Sequence, residues 1–122
     1  REIYPGDAQT IAGGRDFDNY EYLSETMSKL DFIVTEVVCG GARGADTLGE
    51  TWAKNNGVPI KYFYPDWDSY GKSAGNIRNR DMADYGDYLV AFWDGKSKGT
   101  QNMITSMQRV GKHGTVKFYE RN

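Results

Sequence analysis

The run Tyr88-Leu89-Val90-Ala91-Phe92-Trp93 carries no charged side chain and no turn former. A strand this apolar has no face to offer water, so it belongs inside a parallel sheet with helices packed on both sides. The rest of the chain supplies those helices. Residues 19–30 place Tyr20, Leu23, Met27 and Leu30 on one helical stripe, with Asp18 as the expected cap. Residues 45–56 put Leu48, Trp52 and Ala53 inward and stop at Asn56-Gly57. A shorter helix covers residues 75–85, and residues 99–110 carry Met103, Ile104, Met107 and Val110 on one face before Gly111. Between them, residues 9–12, 34–39, 59–64 and 115–119 read as the other strands, and residues 65–75 as an irregular polar segment.

With 122 residues there is room for one core. The expected fold is a single α/β domain, Rossmann-like and three-layered, with a five-stranded parallel sheet, right-handed crossovers and helices on both faces. Residues 1–8 read as an N-terminal arm and residues 9–122 as the domain.

In sheets of this kind ligands lie beyond the carboxyl ends of the strands, near the point where strand order reverses. The polar, glycine-rich stretches fall at those ends. Gly13, Gly14, Arg15 and Asp16 follow the first strand; Arg15 reads either as an anion contact or as a surface residue of a tight turn. Gly40, Gly41, Ala42, Arg43, Gly44, Ala45 and Asp46 follow the second. Small residues at a helix start let backbone amides crowd around an anion, Arg43 adds a rigid cationic fork, and Asp46 caps the helix or accepts a ribose hydroxyl. The glycine spacing is neither G-x-G-x-x-G nor a Walker loop. Gly71-Lys72-Ser73 ends like a Walker motif, but Asp66 stands where its leading glycine belongs.

Further along, Asn76, Arg78 and Asn79 open a helix on which Met82 faces the core, which turns Arg78 toward the pocket. Arg80 reads as a surface partner of Asp81 or Asp84. Gly99 and Thr100 open the last helix as a second phosphate cradle, with Thr100 as cap or hydroxyl donor. Trp67 and Tyr70 either stack on a base or anchor their loop to the core.

Fifteen Lys and Arg against seventeen Asp and Glu give a net charge of −2, which argues against broad nucleic-acid binding through phosphate neutralisation. The cations concentrate in or beside glycine-rich loops, at Arg15, Arg43, Lys72, Arg78, Arg80, Lys96 and Lys98, a layout suited to a small anion. Cys39 is the only cysteine, so no internal disulfide forms; it reads as a small core residue. With one histidine, His113, no metal site is expected. No apolar run approaches the ~18–20 residues of a membrane span. The opening Arg1-Glu2-Ile3-Tyr4-Pro5 lacks the layout of a secretion signal, and the expected location is cytoplasmic.

Taken in order, Ala12-Gly13-Gly14-Arg15-Asp16-Phe17, the segment Gly40 to Asp46, Pro65-Asp66-Trp67, the segment Gly71 to Asn79, and Gly99-Thr100 resemble the YspA/YpsA-related branch of the SLOG superfamily over residues 9–119. The resemblance implies a Rossmann-like domain, encoded in bacteria or their phages, that binds nucleotides or nucleotide-derived signals. The superfamily also includes the LONELY GUY phosphoribohydrolases, whose catalytic arginine matches Arg78 and whose catalytic glutamate position is occupied here by Met103. Asp46, Asp66 and Asp94 are the carboxylates left to replace it. DprA-type relatives bind single-stranded DNA.

The expectation is therefore a binder of a nucleotide or ribose-phosphate ligand, acting as a sensor or sequestering protein, with no separate cofactor. The alternatives are nucleotide N-glycosidic cleavage, with Arg78, Asp46 and Asp66 as catalytic candidates, and single-stranded DNA binding. Self-association is open, as relatives of this fold often oligomerise.

Overall fold

A computed structural model describes residues 7–30 and 33–120. It contains β1 (Asp7–Gly13), α1 (Tyr20–Ser28), β2 (Val34–Cys39), α2 (Ala45–Asn55), β3 (Ile60–Tyr62), α3 (Trp67–Tyr70), a 3-10 turn (Gly71–Ser73), α4 (Ala74–Tyr85), β4 (Tyr88–Trp93), α5 (Lys98–Arg109) and β5 (Gly114–Phe118). The five strands are all parallel, in the order β3-β2-β1-β4-β5. The chain winds outward from β1 through β2 to β3, then returns to pair β4 with the other side of β1. The switch in strand order therefore lies between β1 and β4.

The two-residue period of the strands divides the core into two layers. Ile11, Val37, Cys39, Val90 and Phe92 point to the face covered by α1 and α2, where Leu23, Met27, Ala45 and Ala53 meet them. Ala8, Ala12, Val38, Leu89 and Ala91 point to the other face, against Met82 and Ala83 of α4 and Met103 and Met107 of α5. Four consecutive residues of β4, from Leu89 to Phe92, are buried, as expected for a strand covered on both sides. Slipping any central strand by one residue would exchange the two sets, so burial on both faces fixes the register.

Several boundaries differ from the sequence expectation. β1 begins at Asp7, two residues earlier than read; residues 1–6 of the expected arm lie outside the described residues. Asn19, not Asp18, caps α1: its side chain accepts the Tyr22 amide at 3.0 Å, and the helix starts one residue later than expected. The segment read as irregular holds α3 and the 3-10 turn. Asp66 caps α3 by accepting the Ser69 amide at 3.1 Å. Ser97 rather than Thr100 caps α5. β3 is three residues long, Ile60–Tyr62, although Phe63 still donates its amide to Cys39 O of β2 at 2.9 Å.

Candidate functional site

The loops leaving β1, β2 and β4 converge, with one face of α4, on a cavity of about 400 Å³ at the carboxyl edge of the sheet. It sits at the β1–β4 switch, and its volume is in the range of small-ligand pockets, roughly 300–1,000 Å³.

The β1 loop is held by aromatic packing. Phe17 is 3% exposed and stacks on Phe92, with ring centroids 4.5 Å apart and planes 16° from parallel. The Tyr119 hydroxyl donates to Asp16 Oδ1 at 2.6 Å. Gly14 donates its amide to Phe92 O at 3.1 Å and accepts from Ala45 at 3.2 Å. Arg15 and Asp16 are thus carried on a braced backbone at the edge of the cavity.

In the β2 loop, Asp46 lies in the first turn of α2, where the helix dipole favours a carboxylate. Its side chain turns back into the loop, and Oδ2 accepts the Ala42 amide at 3.1 Å. Burial raises the Asp46 pKa above the ordinary carboxylate value, while the Ala42 amide, the Arg78 charge and the Gly40 amide oppose that shift. The glycine-rich bend gathers amides around a carboxyl group, and that group is the protein's own. Thr47 closes the loop by donating its hydroxyl to Ala42 O at 3.1 Å.

Arg78 comes from α4. Nη1 donates to Gly40 O at 2.6 Å and Nε to Asn79 Oδ1 at 3.0 Å. These bonds fix the guanidinium plane and leave the rest of its five donors for a guest. Burial lowers its pKa, Asp46 opposes the shift and the Arg15 charge adds to it; guanidinium basicity is high enough that it stays charged. Asn79 is 6% exposed and in turn donates to Gly99 O at 3.2 Å and Asn102 Oδ1 at 3.0 Å, joining α4 to the start of α5.

The β4 loop is shaped by Asp94, whose Oδ1 accepts the Lys96 and Ser97 amides, each at 2.8 Å. Thr100 Oγ1 donates to Ser97 Oγ at 3.3 Å. Met103 and Met82 form an apolar wall of the cavity. The carboxylates bordering the cavity are Asp16, Asp46 and Asp94.

Of the residues singled out in the sequence, Gly13, Gly14, Arg15, Asp16, Gly40, Ala42, Asp46, Arg78, Asn79, Gly99 and Thr100 border this cavity. Gly41, Arg43, Gly44, Asp66, Trp67, Lys72 and Asn76 do not. Gly41 sits beneath the Tyr64 ring in a left-handed conformation, φ 75°. Arg43 and Gly44 border a separate hollow outside the start of α2. Asp66 and Lys72 are exposed, and Trp67 is 55% exposed with its ring edge near Gly75. Tyr70 is 53% exposed and also stands away from the cavity. Sequence reasoning left Ala12, Met82, Ser97 and Met103 out of the site and gave Asp94 only as a substitute acid. An apolar wall residue carries no signal separating it from ordinary core, whereas Ser97 was legible as a cap before a helix. Cys39 is 1% exposed, and burial together with Asp46 and Glu50 pushes its thiol pKa up to about 12. Among the described residues no cluster of acidic, His or Cys side chains is arranged to hold a metal ion, and no helix is long and apolar enough to cross a membrane.

Fold and cavity together define a Rossmann-like α/β domain with a ligand-sized cleft at its strand switch. The family model described as YspA, cpYpsA-related SLOG matches residues 10–70, half of the chain, and the protein belongs to that family. The match takes in the β1 and β2 loops and ends before α4. The chain is also 38% identical over 81 residues to the Gene 61 protein of Mycobacterium phage D29, an alignment covering 62% of this chain and 65% of that relative. No solved structure matches the chain.

Proposed function

We propose that the protein binds a nucleotide or other ribose-phosphate ligand in the cleft at the β1–β4 switch, as a sensor or sequestering protein. The observation that carries this reading is Arg78, a half-buried guanidinium held in plane by Gly40 and Asn79 at the wall of a ligand-sized cavity. An anionic group meeting that fork gains charge-assisted hydrogen bonds from a donor whose position is already set. Arg15 adds a second cation at the opening, and Asp46 and Asp94 are acceptors suited to ribose hydroxyls. Membership of the SLOG family supports a nucleotide-related ligand.

The test is native mass spectrometry of gently purified protein, followed by calorimetric titration with nucleoside mono- and diphosphates. A co-purifying nucleotide-sized mass, and binding that weakens in Arg78→Ala, are expected. Absence of any binding across the panel refutes the reading.

One observation favours a second reading. The Asp46 carboxyl borders the cavity beside Arg78 with its pKa raised, as a general acid for N-glycosidic cleavage requires. In that chemistry water adds to the ribose anomeric carbon as its bond to the base nitrogen breaks, Asp46 protonates the departing base, and the proton released by the water restores the Asp46 carboxyl. Release of free base from a nucleoside monophosphate, lost in both Arg78→Ala and Asp46→Asn, would establish it over simple binding.

A further inference from the structure

The loops after β1 and β2 meet in a backbone seam. The Ala45 amide donates to Gly14 O at 3.2 Å, and a Cβ placed on Gly44 would stand 2.6 Å from the Arg15 carbonyl carbon. Only glycine fits there, and with φ at 74° Gly44 also turns the chain so that Arg43 projects outward. Arg15 and Arg43, one on each of these loops, border the same hollow of about 450 Å³, together with Thr47 and Leu48. Both are exposed, and neither makes a hydrogen bond or ion pair within the described residues. Asp16 and Asp18 share the rim, but the Asp16 carboxylate is turned to the Tyr119 hydroxyl. Arg15 and Asp16 border this hollow and the main cavity alike, so the two adjoin across those residues.

We infer that Arg15 and Arg43 form a second anion subsite adjoining the cleft, and that the ligand is a nucleotide carrying a diphosphate. This rests on the nucleotide-binding reading and extends it. One phosphoryl group lies against Arg78, and the next reaches past Arg15 to Arg43. Guanidinium forks on adjoining hollows suit two linked phosphoryl groups better than one, because each fork recognises its own pair of oxygens.

Calorimetric titration with adenosine, guanosine, cytidine and uridine 5′-mono- and 5′-diphosphates tests the inference on the wild type, Arg43→Ala and Arg78→Ala. The diphosphate of the preferred base is expected to bind at least about tenfold more tightly than its monophosphate, the worth of one added charge-assisted contact. In Arg43→Ala that gap should close while monophosphate affinity stays at the wild-type value; in Arg78→Ala both ligands should weaken. Arg43 is exposed and unbonded, so its removal leaves the fold intact, which a thermal melt verifies. Equal affinity for mono- and diphosphate, or a gap that survives Arg43→Ala, overturns the second subsite and leaves the cleft reading standing. If no nucleotide binds the wild type, both fall.

Discussion

Arg78 donates from Nη1 to the carbonyl oxygen of Gly40 across 2.6 Å, tying α4 to the end of β2. The bond does two things. It satisfies a carbonyl at the point where the sheet ladder ends, and it aims a cation into the cleft. Gly40 is what allows the approach: a Cβ there would stand 2.6 Å from Nη1, 3.0 Å from Cζ and 3.1 Å from Asp46 Oδ2. The cleft's central cation and its buried carboxylate thus share one glycine as their contact floor.

Gly40→Ala is therefore expected to damage the site more than the fold. The clash falls on the end of a flexible arginine, which swings aside, while the backbone keeps its place. Losing a charge-assisted contact worth about 1.5–3 kcal/mol predicts roughly ten- to hundredfold weaker nucleotide binding. A calorimetric titration beside a thermal melt separates the two effects; a large drop in melting temperature with unchanged affinity would contradict the assignment.

Asn79→Ala removes three hydrogen bonds at once, those to Arg78, Gly99 and Asn102. The partners lie in or beside a partly buried junction, so the expected destabilisation is about 1–3 kcal/mol. Urea unfolding measures it. Asn79→Asp should be no better tolerated, since a carboxylate cannot donate to Gly99 O and Asn102 Oδ1.

Lys112 holds the far end of α4. Its Nζ donates to Ala83 O at 2.7 Å, Asp84 O at 2.8 Å and Gly86 O at 2.7 Å, which places a cation on the last carbonyls of that helix. Lys112→Met keeps the stem and removes the charge. The expected loss is about 1–2 kcal/mol of stability without change in ligand affinity, because Lys112 lies away from the cleft. Chemical denaturation and titration of the same variant check both halves.

These residues also show which parts of the molecule the sequence disclosed. The strands of the core were readable because apolar runs and their two-residue period survive any detail of packing. Arg78 was readable as facing the cleft because it shares a helical stripe with Met82. The direction of the loop amides was not. Whether Ala42 N–H points at a guest or at Asp46 is set by backbone torsions that small residues leave open. Arg43 shows the same limit: beside a glycine at φ 74° it borders the adjoining hollow instead of the cavity its neighbours border. Trp67 and Asp66 were misplaced because a four-residue helix, capped by Asp66, was hidden in a segment without periodicity. Met103 and Ala12 look like core from sequence, since core and cavity wall differ only in whether a neighbouring atom is present.

Asp46 gives a pH test whose sign is fixed by its burial. Burial raises its pKa in the folded protein above the ordinary aspartate value, so the folded state holds the proton more firmly than the unfolded chain does. Protonation of Asp46 therefore favours the fold: its contribution is fully present below the unfolded pKa and is lost as pH rises through the folded one. Asp46→Asn carries no such proton. The stability of the wild type relative to Asp46→Asn should fall as pH rises from about 4 and level off once the folded carboxyl has ionised. Glu25 and Glu50, whose pKa values are lowered by Lys29 and Lys54, act in the opposite sense but are common to both proteins and cancel in the difference. Urea unfolding of the pair between pH 4 and 7 gives the difference directly. A difference that rises with pH would mean that the Gly40 and Ala42 amides and Arg78 outweigh desolvation, making Asp46 a stabilising anion within its loop.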